Sequence, residues 1–254
     1  MSLKGKTIVV TRDARQAKSF VNLLNEKQAN VYLFPTIQLS DPSNIQIIQD
    51  TANTVSNYDW IIFTSAIAVR YFLKYTNPKN FNNVNIACVG KKTDAELNQY
   101  NLKADLIPKE FTSNRLLSDM QNIDLKNKKI LIPCSSLSNN DLNNGFKKQG
   151  AIVNKLVVYM NSVFENPDKA KLKEKIEKKL IDCITFFSPS AVNSFVQLIG
   201  NESLELVRIQ NIPIAVIGST TEIIVKDYQL IPAIKPIISD NEHMVLALVE
   251  YFKN

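Results

Sequence analysis

One three-part phrase is written twice in this chain of 254 residues. The first copy reads IVVTRD (8–13), WIIFTSAIAV (60–69) and IACVGKKT (86–93); the second reads ILIPCS (130–135), ITFFSPSAV (184–192) and IAVIGSTT (214–221). The offsets are 122 from Thr11 to Pro133, 123 from Phe63 to Phe186 and 128 from Gly90 to Gly218, too regular for chance. Each part is an apolar run that ends in a polar loop. Duplicated α/β halves commonly bind a ligand between them, because the strand-end loops of both halves can face one cleft.

The rest of the pattern agrees with an α/β chain. Strand-like runs at 7–10, 31–34, 60–63, 84–89, 129–132, 152–158, 182–187 and 212–217 alternate with segments of helical period. Ala17, Phe20, Val21 and Leu24 share one helix face, as do Val192, Phe195, Val196 and Ile199, after which Gly200 reads as a C-cap. Further helices are expected over 139–149 and 241–253. Strands alternating with helices of this length build parallel sheets covered on both faces.

A length of 254 residues suggests two domains. The segments 35–44 (PTIQLSDPSN) and 157–168 (VVYMNSVFENPD) are both extended and proline-bearing, and they occupy equivalent places. Paired as a two-stranded hinge, they would make one domain from 1–36 with 168–254 and another from 40–160. A cut at the loop DLKNKK (124–129) into two sequential domains fits the pattern equally well.

Several functions are disfavoured. No apolar run approaches the ~18 residues of a membrane span, and the N-terminus enters a strand with no signal-peptide core, so a cytoplasmic protein is expected. The net charge of +6 favours an anionic partner. The densest basic run, KAKLKEKIEKK (169–179), is interleaved with Glu174 and Glu177 and reads as a solvated helix face. No nucleic-acid motif accompanies the charge, so a small acidic ligand fits it at least as well. Cys88, Cys134 and Cys183 lack metal spacing, and the single His243 cannot build a histidine-based metal site or a Ser-His-Asp triad. The chain has no GxG and no GxxxxGK, which argues against dinucleotide and P-loop chemistry. Neither metal nor organic cofactor is expected.

The candidate binding residues are those of the strand-end loops: Arg12, Thr64 and Ser65, Gly90 and Thr93, Ser188 and Ser190, Gly218, Thr220 and Thr221. Ser and Thr at a helix start serve as N-caps, and the same backbone N–H groups bind carboxylate or phosphate. Glycine at the strand end is expected to permit a sharp turn or close approach of a ligand. Lys91 and Lys92 read mainly as surface lysines. Tyr159, at the end of the strand KLVVY, is a neutral hydrogen-bond donor and a candidate general acid.

TR at 11–12, FTSxxAV at 63–69, VGxxT at 89–93, LIPC at 131–134, the GA-to-VVY stretch from Gly150 to Tyr159, ITFFSPSAV and IGxTT at 217–221 together resemble the uroporphyrinogen-III synthase family. The resemblance runs from about residue 7 to 225; Ser219 stands where the family often has proline, and Ile67 where small or polar residues are common. It implies two flavodoxin-like parallel-sheet domains related by internal duplication and joined by a two-stranded β hinge, the discontinuous arrangement. It also implies the substrate hydroxymethylbilane, whose four pyrroles each carry two carboxylates. The implied reaction loses the terminal hydroxyl as water and recloses through a spirocyclic pyrrolenine with ring D inverted. On this resemblance the cleft residues are those named above, with Tyr159 protonating the departing hydroxyl. A monomer is expected, with transient contact to hydroxymethylbilane synthase and no nucleic acid or membrane partner. The alternative from another class is a non-enzymatic two-lobed binding protein for an anionic metabolite.

Overall fold

The computed structural model describes residues 2–253. In chain order the elements are β1 (Thr7–Val10), α1 (Ala14–Glu26), β2 (Asn30–Leu33), β3 (Ile37–Ser40), α2 (Gln46–Asn53), β4 (Trp60–Phe63), α3 (Ala66–Leu73), β5 (Asn85–Cys88) and α4 (Lys91–Asn98). Then follow α5 (Ser113–Asp119), β6 (Lys129–Ser135), α6 (Asp141–Lys148), β7 (Ile152–Val163), α7 (Lys169–Glu177), β8 (Cys183–Phe186), α8 (Pro189–Ile209), β9 (Ile214–Val216), α9 (Ser219–Asp227), β10 (Pro232–Ile234) and α10 (Asn241–Tyr251). The chain up to Gln38 and from Ser162 onward makes one compact unit; Leu39–Asn161 makes the other. The backbone therefore passes between units twice, once within β3 and once within β7.

The first unit holds a five-stranded sheet in the order β2-β1-β8-β9-β10. Its pairings are parallel, with Val9 opposite Ile184 and Ile184 opposite Ile214. Numbered within the unit this is the 2-1-3-4-5 order of flavodoxin-like sheets. Successive side chains of a strand point to opposite faces, so both faces must be apolar when helices cover both. Val9, Ile184 and Phe186 pack with Phe195 of α8 on one face, whereas Ile8 and Val10 pack with Phe20 of α1 and Leu248 of α10 on the other. Burial of each such side chain stabilises the unit by about 1.5–3 kcal/mol. Buried threonine hydroxyls lock the central pair: Thr11 donates to the Thr185 carbonyl at 2.7 Å, and Thr185 donates to the Val9 carbonyl at 2.9 Å.

The second unit has the order β3-β7-β6-β4-β5, with parallel pairing of β4 to β5, β4 to β6 and β6 to β7. Here too β4 is sided twice, Ile61 and Phe63 facing Phe72 and Tyr159, and Trp60 and Ile62 facing Leu116 and Phe146. Among the buried charges of this unit, Glu96 of α4 takes a two-pronged contact from Arg70 of α3, at 3.1 Å and 2.6 Å.

Some sequence expectations need correction. The helix expected over 139–149 begins at Asp141, because Asn139 and Asn140 are spent as acceptors for Asp141 and Lys155. The last helix stops at Tyr251 rather than 253. Gly200, with φ 74° and ψ 172°, does end the helix that starts at Pro189, but a second helix follows directly to Ile209, so α8 is two helices across a kink. Tyr159 does not end a strand: β7 runs on to Val163. The short strand β10 lies outside the expected runs altogether.

Candidate active site

In the second unit, β4 has β5 on one side and β6 on the other, so the loops leaving β4 and β6 diverge. The crevice outside the C-terminal ends of two such strands is where open α/β sheets bind ligands. β4 ends at Phe63 and delivers Thr64 and Ser65, both half-buried. Ser65 is extended (φ −154°) and caps α3, its hydroxyl accepting from the Ala68 N–H at 3.1 Å. β6 ends in Cys134 and Ser135; the Ser135 hydroxyl accepts from the Leu137 N–H at 3.2 Å and meets the Ser138 hydroxyl at 3.3 Å.

Tyr159 joins these two loops from β7. Tyr159 is the register partner of Ser135, its hydroxyl interacts with the side chains of Ser65 and Ser135, and its ring lies 5.3 Å from that of Tyr71. Burial raises its pKa above 10, while the two serine hydrogen bonds pull the other way. The phenol is therefore a neutral O–H donor across the physiological range. A separate cavity of about 210 Å3, which Tyr159 does not line, is bounded by Thr64, Ser113, Cys134, Ser138 and Lys155 among others. The Lys155 ammonium donates to the carbonyls of Ser138 and Asn139 at 2.6 and 3.0 Å and to Asn140 Oδ1 at 2.9 Å. It thereby fixes the loop after β6.

In the first unit the equivalent crevice lies between β1 and β8. Arg12 follows β1, its Cζ 4.8 Å above the Phe187 ring. Its Nε and Nη1 reach Gln16 Oε1 and Asn241 Oδ1, both at 3.4 Å. These partners are neutral. Burial pulls its pKa below the ordinary arginine value, opposed by Asp13. Asp13 itself caps α1 and pairs with Arg15. A desolvated guanidinium with five donors and two long, neutral contacts suits an incoming carboxylate. After β8, Ser188 caps α8, accepting from the Ala191 N–H at 3.2 Å, with the Ser190 hydroxyl 3.1 Å from its own.

The two glycine loops are built differently. Gly90 and Gly218 occupy the N-cap positions of α4 and α9, where no side chain caps the helix. Helix N-termini without a side-chain cap leave N–H donors for an anion. The expected reason for glycine, a sharp turn, does not hold: φ is −166° at Gly90 and −174° at Gly218, extended backbone open to any residue. Thr93 and Thr221 are buried under the first turns of their helices, whereas Thr220 is exposed. The structure thus brings Thr64, Ser65 and Tyr159 together in one unit and sets Arg12 with Ser188 and Ser190 at the switch point of the other. The N–H groups of Thr93 and Thr221 donate to the Gly90 and Gly218 carbonyls at 2.9 and 3.2 Å.

A family model described as uroporphyrinogen-III synthase HemD matches residues 18–245. The chain belongs to the uroporphyrinogen-III synthase family. It is similar to the uroporphyrinogen-III synthase of Synechococcus elongatus, 30% identical over 229 residues that cover 87% of this chain and 86% of the relative. It is also similar to that of Chlorobaculum parvum, 28% identical over 222 residues, 85% of this chain and 87% of the relative. In fold it resembles the crystal structure of a mutant uroporphyrinogen III synthase from Thermus thermophilus (TM-score 0.69, 14% identity, 98% of each chain). The Helicobacter pylori uroporphyrinogen-III synthetase structure gives a TM-score of 0.64 at 15% identity, over 97% of this chain and 99% of that one. Membership in the uroporphyrinogen-III synthase family makes the chain an enzyme of tetrapyrrole biosynthesis, which removes the purely binding alternative.

Two side chains of this candidate site escaped the sequence reading. Ser135 stands 122 residues after Asp13, the offset of Thr11 and Pro133, so the repeat itself marks it as a strand-end residue. Lys155 had no local signal. Its role comes from a loop that β6 brings alongside β7. No helix among the described residues is long and apolar enough to cross a membrane.

Proposed function

We propose that the chain converts hydroxymethylbilane to uroporphyrinogen III by holding the acidic, flexible bilane at strand-end loops of its two α/β units. The observation that carries this reading is the Tyr159 hydroxyl set between Ser65 and Ser135 at the β4–β6 switch point. Carboxylates of the substrate are assigned to Arg12, to the hydroxyls of Thr64, Ser188, Ser190 and Thr220, and to the backbone at Gly90–Thr93 and Gly218–Thr221. The helix starts supply dipole and N–H donors without a proton-transfer group.

In the first step Tyr159 gives its proton to the terminal hydroxyl, which leaves as water and generates an electrophilic methylene. The substituted carbon of ring D bonds to that methylene to form the spirocyclic pyrrolenine. Cleavage of the older bridge bond and closure at the other position of ring D, with loss of a ring proton, give the inverted macrocycle. The bilane closes without help to the uninverted isomer, so most of the enzyme's work is conformational: holding one geometry and denying the direct closure. The same reading has a cytoplasmic monomer that receives the bilane from hydroxymethylbilane synthase before it closes unaided. The two passages of backbone between units, through β3 and β7, serve in this reading as the hinge.

The test is incubation of the purified chain with freshly made hydroxymethylbilane, followed by separation of the uroporphyrinogen isomers. Type III product in excess of the spontaneous reaction is expected. Type I product alone would overturn the assignment.

A further inference from the structure

Arg12 follows β1, and two helices of the first unit start beside it. α1 and α10 pack on one face of the sheet, where Phe20 and Leu24 of the first lie in a cluster with Met244, Val245 and Leu248 of the second. Gln16 is the third residue of α1, and Asn241 is the first of α10. Arg12 Nε donates to Gln16 Oε1 and Nη1 donates to Asn241 Oδ1, both at 3.4 Å. An arginine has no acceptor, so the atom facing it must in each case be the amide oxygen. The amide nitrogen of Asn241 is then left for Ser19 of α1, whose hydroxyl accepts from Nδ2 at 2.7 Å. Phe187, 4.8 Å from the guanidinium carbon, is itself held edge-on by Phe20 with ring centres 4.9 Å apart. Uncharged groups on α1, on α10 and after β8 thus hold Arg12.

Two carboxylates adjoin these residues in sequence, and each is engaged elsewhere. Asp13 accepts from the Arg15 N–H at 3.0 Å and lies 3.6 Å from Arg15 Nε. Asp240 accepts from the His243 N–H at 2.8 Å and lies 2.8 Å from His243 Nδ1. Among the described residues Arg12 forms no ion pair; its hydrogen bonds go to the two amides. Local chemistry alone would favour acids at both contact positions. A negative side chain in the first turn of a helix is stabilised by the helix dipole. A glutamate at position 16 would also complete a capping box with Asp13. Either acid could pair with Arg12 besides. Amides at both positions forgo that stability and leave a part-buried cation without a counter-charge. A sequence gives up local stability in this way where a ligand supplies the missing charge.

We infer that Gln16 and Asn241 are positioning residues for Arg12, whose neutral amide oxygens hold the guanidinium over Phe187 while keeping its charge for one carboxylate of the substrate. The inference rests on the proposed function, concerns the first unit alone, and adds Gln16, Ser19 and Asn241 to the residues that reading uses. Of the five N–H groups of a guanidinium, the amides take one on Nε and one on Nη1. The other Nη1 proton and both on Nη2 remain, enough for a two-pronged grip on a carboxylate. Ser19 acts one step further out, by fixing which way the Asn241 amide faces. The requirement is therefore for amides and not merely for polar side chains, and a change of charge at constant shape tests it.

The experiment uses the full chain with Asn241→Asp and Gln16→Glu, each close in shape to the parent residue, and Asn201→Asp on the exposed surface of α8 as a control for net charge. Type III formation from fresh hydroxymethylbilane, followed over a range of salt concentrations, gives kcat, KM and the salt dependence of KM. Unfolding midpoints report the fold. Each new acid at the contact pairs with Arg12, so KM should rise by roughly fivefold, the scale of one partly screened charge pair. kcat should be nearly held, and KM should become less sensitive to salt. The midpoint should hold or rise, because both new acids sit in the first turn of a helix. Asn201→Asp should match the parent chain. Unchanged KM and salt dependence in the two acidic variants of an active protein would overturn this inference alone. So would a rise in KM that accompanies a fall in midpoint, or one that Asn201→Asp reproduces. A parent chain that forms no type III product would remove the proposed function and this inference with it.

Discussion

Replacing Tyr159 by phenylalanine separates chemistry from packing at one atom. The ring keeps its place in the core cluster of the second unit and its 5.3 Å contact with Tyr71. What is lost is the hydroxyl between Ser65 and Ser135. Both serines keep other partners, Ser65 the Ala68 N–H and Ser135 the Leu137 N–H. At about 0.5–1.5 kcal/mol net for a hydrogen bond, the unit should lose about 1–2 kcal/mol of stability and keep its fold. If the hydroxyl is the general acid, turnover should fall by about 10²-fold or more, whereas Ser65→Ala and Ser188→Ala should each cost about 1 kcal/mol as lost caps. The pH dependence gives a second handle. Burial holds the folded-state pKa of Tyr159 above the ordinary value of 10, so the protonated phenol is favoured by folding. Its contribution is complete below pH 10 and is lost only as the pH rises through the folded-state value. The assay is type III formation from fresh bilane across pH 6–10, with unfolding midpoints as control. A well-folded Tyr159→Phe protein with near-parental turnover would refute the acid role, and the enzyme would then act by shaping the bilane alone.

Glu96→Ala breaks the two-pronged contact with Arg70; because Arg70 is half exposed, the loss should be only about 1–2 kcal/mol by chemical denaturation, with activity retained. Gly150→Ala should cost about 1–2 kcal/mol, since φ is +87° there and the new methyl would sit 3.3 Å from the Lys126 Cα; an unchanged midpoint would refute this. Burial pushes the Cys88 thiol up to about 11 and raises those of Cys134 and Cys183, so iodoacetamide at pH 8 should label none of the three quickly in the native protein and all three after unfolding, as mass measurement would read. Rapid native labelling of Cys88 or Cys183 would contradict the packing described.

The sequence by itself determined the elements and the kind of loop that follows each strand. Runs such as IVV and WIIF are apolar at every position because both faces of a parallel sheet are covered, and Ile8 and Val9 do face opposite clusters. Ser65 and Ser188 could be read as caps because N-capping is local chemistry. The duplication was legible too, down to the offset of 128 between Gly90 and Gly218.

Which strands share a sheet was a matter for the tertiary structure. β1 comes from the first copy of the repeat and lies beside β8 from the second, while β6 from the second lies beside β4 from the first. Each copy thus contributes to both units, and the regular offsets are the same whether the chain is cut in the middle or passes out and back. Parallel strands have no tight turn to fix their neighbour, so the pairing is chosen by burial and side-chain fit across long crossovers. The same holds at the site. The extended φ of Gly90, the inward turn of Thr93 and Thr221, and the hold of Lys155 on the loop after β6 depend on neighbours distant in sequence. So does the meeting of Tyr159, inside β7, with Ser65 and Ser135 at the ends of β4 and β6, which only the packed sheet brings within reach of one another.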